Sequence, residues 1–224
     1  MKVFEHVDLN LPKIERVTID GVRYYKKPNT DEKIHFVSIT SVTSHYNKEK
    51  FANWRKKVGE EEANRITKAA TDRGTGTHAL IEAYTRNEPL PEALPLHKHL
   101  FNVARPALQR IGTIYGVELG LYSEYLKIAG TCDLVANYDN VLSIVDYKTS
   151  AKIKPREWID SYFVQIVAYA FMLKELTGME AKQLVIIMAA EDGELEVFIE
   201  TDIKKYIVEL VKYIKKFMQD KTNA

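Results

Sequence analysis

The fold of this chain is indicated most strongly by residues 130–150, which read GTCDLVANYDNVLSIVDYKTS. Two apolar runs flank Asp139-Asn140, a pair with the composition of a tight turn, so the stretch predicts a β-hairpin. Strand side chains alternate between the two faces of a sheet, so Asp146 and Lys148 share one face and Tyr147 points to the other. Closing the hairpin brings Asp133 towards Asp146. The sequence therefore predicts two carboxylates and a lysine at the end of one sheet.

Two carboxylates beside a lysine suit a hard cation that prefers oxygen ligands. Mg²⁺ would be held by Asp133 and Asp146, with coordination positions left open for a phosphate. Lys148 would then stabilise the negative charge that phosphodiester hydrolysis develops, or orient the attacking water. The alternative for Lys148 is an edge-strand lysine that protects the sheet against aggregation.

The triplet of aspartate, any residue and lysine occurs at two other places in the chain. Asp31–Lys33 lies in a polar stretch that is typical of a turn. Asp202–Lys204 opens the last helical pattern, where Asp202 is expected to be an N-cap or a first-turn acid. Only the triplet at residues 146–148 ends an apolar, β-branched strand that has an acidic partner on the preceding strand.

Taken in order, these motifs resemble the PD-(D/E)XK nuclease superfamily, and within it the RecB-like branch. They extend over roughly residues 38–176 and comprise Arg73-Gly74-Thr75-Gly76-Thr77-His78, Glu124, Gly130 to Asp133, Asp146 to Lys148, and Gln165 with Tyr169. Phage exonucleases and the mitochondrial genome maintenance exonuclease family have a similar order. The proline of the superfamily name is missing, since Cys132 precedes Asp133.

The resemblance implies a role for each matching residue. Asp133, Asp146 and the carbonyl of Tyr147 would ligate the metal, and Lys148 would be the catalytic cation. His78 is implied as a further metal ligand, on a helix expected to begin after Gly74. Its imidazole would help to recruit Mn²⁺ alongside Mg²⁺.

Three of the implied roles have structural alternatives. Glu124 would complete a second metal site or orient the other ligands, or it is a salt-bridged surface acid. Gln165 and Tyr169 would take part in catalysis through contacts to the Lys148 strand or the substrate backbone; otherwise Tyr169 is a core residue and Gln165 satisfies polar groups. Arg73 would reach a phosphate, or it caps the preceding helix.

Basic residues are clustered, although the net charge is only +1 and typical nucleic-acid binders are basic overall. Lys152, Lys154 and Arg156 follow the site closely and are expected to contact phosphates. An earlier cluster would contact phosphates or form a solvated helix face; it contains Lys48, Lys50, Arg55, Lys56 and Lys57. Some aromatic side chains could stack on bases or belong to the core, namely Trp54, Tyr84, Trp158 and Tyr162.

Composition excludes several classes of protein. Cys132 is the only cysteine, so the chain has no intrachain disulfide, no cysteine-based zinc site and no iron–sulfur cluster. No run approaches the ~20 apolar residues of a membrane span. The first residues lack the features of a signal or transit peptide, so we expect a cytoplasmic protein of a bacterial or phage-infected cell.

The expected fold is α/β, with a central mixed β-sheet flanked by helices, a restriction-endonuclease-like core and an N-terminal β-hairpin at Asp20-Gly21. We expect one domain over residues 1–224, with a β element at 1–43 and the nuclease core at 44–224. Helices are expected from Ser41 to Arg86 with breaks at Gly59 and at Arg73-Gly74, and from Leu96 to Ile111 with an interruption near Pro106.

The function that these features predict is a Mg²⁺- or Mn²⁺-dependent deoxyribonuclease. We expect an exonuclease that acts on DNA that is single-stranded or has a free end, as in recombination, repair or genome degradation by a phage. Two alternatives stay open: a structure-selective endonuclease with the same catalytic core, and a non-catalytic nucleic-acid-binding module. Circular single-stranded DNA separates the first two, because an exonuclease leaves it intact.

Overall fold

The computed structural model describes residues 2–30 and 32–222, so Asp31 of the first alternative triplet lies outside the described residues. The chain begins with the expected hairpin of β1 (Arg16–Ile19) and β2 (Val22–Lys26). Asp20 and Gly21 between them have φ values of 49° and 73°, as a tight hairpin turn requires. Strand β3 (His35–Ser38) pairs antiparallel with β2, which confirms the N-terminal β element.

Four helices follow: α1 (Ile39–Tyr46), α2 (Lys48–Val58), α3 (Glu60–Thr85) and α4 (Pro95–Leu108). Gly59 separates α2 from α3 with a φ of 89°, as expected. The break expected at Arg73-Gly74 is wrong, because α3 continues through both residues. A helical glycine costs about 1 kcal/mol, which is less than the burial of Leu80 and Tyr84 further along the same helix contributes.

The interruption expected near Pro106 is also wrong, because α4 includes this proline and ends two residues later at Leu108. So close to the end of a helix, the lost backbone hydrogen bond affects only the last turn. The buried side chains of Leu100, Phe101 and Leu108 hold α4 against the sheet.

The remaining elements are β4 (Ile111–Ser123), β5 (Ile128–Tyr138), β6 (Val141–Ser150), α5 (Asp160–Thr177), β7 (Gln183–Ala190), β8 (Leu195–Glu200) and α6 (Ile203–Thr222). The β5–β6 hairpin is confirmed, and Asp139 and Asn140 in its turn have φ values of 49° and 65°. Asp202 caps α6 as expected, since its carboxylate accepts a hydrogen bond of 3.3 Å from the backbone N–H of Lys205.

Among the described residues, eight strands form one sheet in the order β1-β2-β3-β5-β6-β7-β8, with β4 paired to the other edge of β5. The pairs β3–β5 and β6–β7 are parallel and the others are antiparallel. Helices α1, α5 and α6 cover one face of the sheet, and α3 and α4 cover the other. The structure thus confirms the α/β class with a central mixed sheet flanked by helices.

Strand β5 changes partner in the middle of the sheet. Ala129 pairs with Ser38 of β3, whereas Leu134 pairs with Val145 of β6. Residues 130–133 lie between these two partners and have a free edge on that side. The gap holds the residues that the sequence marks as functional.

In the part of the chain that the structure describes, no helix combines the length and the apolar composition needed to cross a membrane. The organisation of residues 1–224 as a single domain stays a prediction.

Candidate active site

Asp146 and Lys148 form the centre of the site. Asp146 is buried, with 2% of its side chain exposed, and its Oδ2 forms an ion pair with the Lys148 ammonium. Apart from this ammonium, the described residues offer Asp146 Oδ2 no hydrogen-bond donor. The Lys148 Nζ also lies 5.1 Å from the centre of the Tyr162 ring on α5. As the alternation predicted, Tyr147 points the other way and packs against the core under α3 and α4.

Asp133 faces the gap where β5 and β6 separate. Its Oδ2 accepts a hydrogen bond of 2.9 Å from the backbone N–H of Tyr147. The β5–β6 pairing ends at Leu134 and Val145, so the N–H of Tyr147 has no backbone acceptor on β5. The carboxylate of Asp133 accepts this hydrogen bond in its place. Asp133 is therefore held beside Asp146, and its negative charge helps to raise the Asp146 pKa.

His78 reaches the same gap from the middle of α3. Its Nε2 lies 2.9 Å from the carbonyl oxygen of Tyr147, and its Nδ1 lies 3.6 Å from Asp133 Oδ2. Because a carbonyl only accepts hydrogen bonds, Nε2 must carry the proton, which leaves a lone pair on Nδ1 in the neutral ring. This lone pair faces the carboxylate. The carbonyl of Tyr147 thereby orients His78. Its expected role as a metal ligand stays a prediction.

Glu118 completes this group, and the sequence reasoning missed it. His78, Glu118 and Asp133 each offer a ligand atom, and these atoms lie within 4.8 Å of one another. Glu118 lies opposite Asp133 on β4, between the pairs Val117–Leu134 and Leu119–Cys132, and has a φ of 50°. The sequence signal for this position is the turn at residues 124–127. Pairing β4 with β5 outward from this turn places Glu118 opposite Asp133.

The site carries an excess of negative charge. Burial, Asp133 and Glu82 raise the pKa of Glu118 to about 7, against the opposing effect of Arg86. Burial also raises the pKa of Asp146, although Lys148 opposes this. Burial by itself would lower the pKa of Lys148, but Asp146 and Asp133 outweigh it and raise this pKa. A cation bound between the carboxylates would relieve their repulsion.

In EDTA, we expect Glu118 to make the folded state lose stability as the pH rises from about 4.5 to about 7. The pKa of Glu118 is about 7 in the folded chain and near the ordinary 4.5 in the unfolded chain, so the folded state binds the additional proton between these values. This contribution is fully present below the unfolded pKa and is lost above the folded one. Thermal unfolding of wild type and Glu118→Gln from about pH 5 to about pH 8 measures it. A stability difference that stays constant over this range would contradict the assignment.

The donor set fits a divalent cation. One imidazole nitrogen and several carboxylate oxygens suit Mg²⁺ and Mn²⁺, and the lone pair of His78 Nδ1 points into the group. Among the described residues, the buried Asp146 Oδ2 has no hydrogen-bond donor besides the Lys148 ammonium, so it is a further oxygen that a cation would satisfy.

Comparison with known proteins identifies the family. A model of the PD-(D/E)XK nuclease superfamily matches residues 107–221, just over half of the chain. The chain belongs to the PD-(D/E)XK nuclease superfamily. Nucleases of this superfamily use divalent metal ions. The match includes Glu118, Asp133, Asp146 and Lys148 and does not extend to His78. The finer resemblance to the RecB-like branch stays a prediction.

Solved structures and curated proteins add little to this assignment. A candidate exonuclease from Eubacterium rectale matches with a TM-score of 0.43 and 15% identity, over 85% of this chain and 67% of that chain. No curated protein matches the chain.

Gln165 and Tyr169 lie beside the carboxylates of this PD-(D/E)XK nuclease. Gln165 Nε2 donates a hydrogen bond of 3.3 Å to Tyr169 Oη. Burial raises the pKa of Tyr169 well above its usual value, and Asp133 and Asp146 contribute to the shift. Tyr169 is a core residue that stays protonated near the site. A catalytic role for either residue stays a prediction.

Gly130 makes room for the Tyr169 ring. A Cβ atom at this position would lie 2.8 Å from Tyr169 Cε1 and 3.0 Å from Ile39 Cγ2. Both neighbours are buried, so neither can move without disturbing the core.

We therefore expect Gly130→Ala to lower the free energy of unfolding by about 1–3 kcal/mol, the usual cost of overpacking. Urea unfolding measures the change. Gly112→Ala on β4 is the matched control, because its nearest contact is 3.4 Å and lies on the backbone oxygen of Asn137. Equal effects of the two substitutions would contradict this account of the Tyr169 contact.

Glu124 does not lie with His78, Glu118 and Asp133. Its exposed carboxylate lies 2.9 Å from Lys27 Nζ. It stands six residues beyond Glu118 in the chain, which corresponds to about 20 Å at ~3.3 Å per strand residue. The structure thus places it as the surface ion pair that the sequence left as an alternative.

Arg73 lies within α3, so the alternative that it caps a preceding helix is wrong. Its guanidinium pairs with Glu191, and its Nε lies 3.4 Å from Thr149 Oγ1 next to Lys148. Arg73 therefore fixes α3 to the end of β6. Its role in phosphate binding stays a prediction.

The three basic residues after β6 have different surroundings. Lys152 is exposed, whereas Lys154 Nζ donates a hydrogen bond of 2.7 Å to Tyr162 Oη on α5. Arg156 is held by Asp160 at 2.9 Å, by Glu200 at 3.4 Å and by the hydroxyl of Tyr206. Its guanidinium therefore links the short 3₁₀ helix Arg156–Trp158 to α5 and α6. The three phosphate contacts expected here stay predictions.

Proposed function

We propose that this chain is a Mg²⁺- or Mn²⁺-dependent deoxyribonuclease that removes nucleotides from single-stranded DNA ends. The observation that carries the proposal is the convergence of His78, Glu118 and Asp133 beside the Asp146–Lys148 ion pair. Membership of a nuclease superfamily supports phosphodiester hydrolysis, and the resemblance to the RecB-like branch supports an exonuclease.

His78, Glu118, Asp133 and Asp146 are the residues that would hold the divalent ion. When bound, the ion supplies Lewis-acid chemistry and lowers the pKa of water. The backbone of Tyr147 supports two of these ligands. Its carbonyl fixes the tautomer of His78, and its N–H orients Asp133.

Lys148 supplies the second positive charge. Its raised pKa keeps the amine protonated at neutral pH, so it acts as a cation rather than as a base. Asp146 holds the ammonium in place, and the Tyr162 ring lies against it. From this position it would stabilise the charge on the phosphoryl oxygens and orient the attacking water. Hydrolysis would leave a 5′-phosphate, as the family resemblance implies.

The test uses end-labelled linear and circular single-stranded DNA with Mg²⁺, Mn²⁺ or EDTA. We expect the wild type to shorten the linear strand with metal, to leave the circle intact and to be inactive in EDTA. Lys148→Ala serves as the inactive control. Cutting of the circle would replace the exonuclease by a structure-selective endonuclease. Metal-independent binding without any cleavage would leave a nucleic-acid-binding module of the same fold.

A further inference from the structure

Helix α2 is unusual in this fold because none of its residues is buried. An isolated helix of this length is marginal in water and depends on packing for its stability. Nevertheless α2 carries two large aromatic side chains, Phe51 and Trp54, whose rings stack with centroids 5.3 Å apart. Phe51 is 47% exposed. The aromatic pair thus presents ring surface outside the core.

The pair lines a groove that runs between α2 and α5. The groove has a volume of about 850 Å³, and its basic side chains are Lys48, Lys50, Arg55 and Lys154. Among the described residues, the lining contains no aspartate or glutamate. In a chain with a net charge of only +1, this is a local concentration of positive charge.

The lysines on the α2 side are available for a ligand. Within residues 2–30 and 32–222, neither Lys48 nor Lys50 forms an ion pair, and both are exposed. Arg55 differs, because it pairs with Glu60 at 2.8 Å and lies 5.9 Å from the Phe51 ring centre. Arg55 therefore fixes the aromatic pair, while the two lysines can contact an anion.

The far wall of the groove is continuous with the candidate active site. Tyr162 lines the groove, and its ring lies 5.1 Å from Lys148 Nζ and 5.2 Å from Lys154 Nζ. Gln165 also lines it and donates to Tyr169, the ring that packs against Gly130. A chain bound in the groove would therefore lead directly to the Asp146–Lys148 pair.

We propose that the α2–α5 groove binds the single-stranded segment of the substrate next to the phosphate that is cleaved. Bases would stack on Phe51 and Trp54, and backbone phosphates would contact Lys48, Lys50 and Lys154. Ring surface of this kind suits a single strand, because in a duplex the base faces are covered by their neighbours. This inference rests on the proposed nuclease function and specifies which part of the chain holds its substrate.

The first test measures the binding of a fluorescent single-stranded oligonucleotide to the full chain in EDTA, where cleavage cannot occur. We expect Phe51→Leu with Trp54→Leu to weaken binding roughly 10- to 100-fold, since both stacking surfaces are lost. Phe51→Tyr with Trp54→Phe keeps two aromatic faces and should bind like the wild type. Because α2 has no buried residue, all four substitutions should leave the fold intact, which thermal unfolding checks.

The second test measures the salt dependence of the same binding. Removing two phosphate contacts with Lys48→Ala and Lys50→Ala should reduce the slope of log affinity against log salt by about 1.4. Lys98→Ala with Arg105→Ala is the control, since both residues are exposed on α4, across the sheet from α5. An unchanged slope, or an equal loss in the control, would overturn the phosphate contacts.

These measurements separate the groove from the catalytic proposal. If the wild type binds the strand but never cuts it, and the leucine variant loses binding, the groove proposal is supported and the proposed nuclease activity is contradicted. If the wild type cuts DNA and the leucine variant binds as tightly as the aromatic variant, the groove proposal is contradicted and the proposed nuclease activity is supported. Tighter binding of duplex than of single strands, lost in the same variants, would also overturn a single-strand groove.

Discussion

Lys148→Ala is expected to lower the rate of DNA hydrolysis by about 10²- to 10³-fold, the usual cost of removing one charge-stabilising group from an active site. Single-turnover cleavage of a labelled strand at saturating Mg²⁺ measures this loss. The loss should fall on the catalytic step rather than on substrate affinity, since the ammonium interacts most strongly with the charge of the transition state. Lys98→Ala is the matched control, because Lys98 is exposed on α4, across the sheet from α5.

Lys148→Ala should also destabilise the metal-free fold. It leaves the buried Asp146 without its partner, and breaking a buried pair costs up to about 3–5 kcal/mol. A divalent cation should restore part of this loss, so Mg²⁺ should raise the Tm of the variant more than that of the wild type. If Lys148→Ala cuts DNA as fast as the control Lys98→Ala, the proposed role of Lys148 would be contradicted. Equal Tm shifts with Mg²⁺ would contradict binding of the cation beside Asp146.

Glu118→Gln and Glu124→Gln are expected to have opposite outcomes, although both replace a glutamate near the same strand. Glu118→Gln removes a carboxylate from the group with His78 and Asp133. We expect its Mn²⁺ affinity to fall at least about 10- to 100-fold, since loss of an indirect partner of a metal ligand already costs this much. Glu124→Gln removes only a solvent-exposed ion pair with Lys27, so we expect its Mn²⁺ affinity to stay at the wild-type value.

Calorimetric titration of Mn²⁺ into each purified variant tests this pair directly, and the metal dependence of cleavage gives a second measurement. Thermal unfolding in EDTA confirms that both variants are folded. If Glu124→Gln loses Mn²⁺ binding while Glu118→Gln retains it, the metal ligand would be Glu124, as the motif order indicates. Glu118, which the β4–β5 register places opposite Asp133, would then not be a ligand.

The centre of the fold could be predicted from the sequence because its determinants are local. Asp139-Asn140 specifies the β5–β6 hairpin through turn chemistry, and the period of two along β6 sets Asp146 and Lys148 on one face. The N-terminal hairpin at Asp20-Gly21 and the cap at Asp202 follow from equally local preferences. Each depends on residues only a few positions apart, so neighbouring sequence is sufficient.

Helix α3 shows where local rules were insufficient. Gly74 indicates a break by propensity, but the buried second half of the helix and its packing on the sheet outweigh that preference. As a result, His78 lies in the middle of a long helix and not in a first turn. Its orientation depends on a carbonyl of β6, a residue 69 positions away in the chain.

The sequence by itself determined the superfamily, the sheet class and the Asp133, Asp146 and Lys148 constellation. Only the tertiary structure decided which glutamate joins them. Motif order favours Glu124, but the β4–β5 register sets Glu118 opposite Asp133 and leaves Glu124 beyond the paired residues. The gap in β5 arises in the same way, because β3 and β6 arrive from distant parts of the chain. Strand register depends on interactions between residues far apart in sequence, and a motif does not contain them.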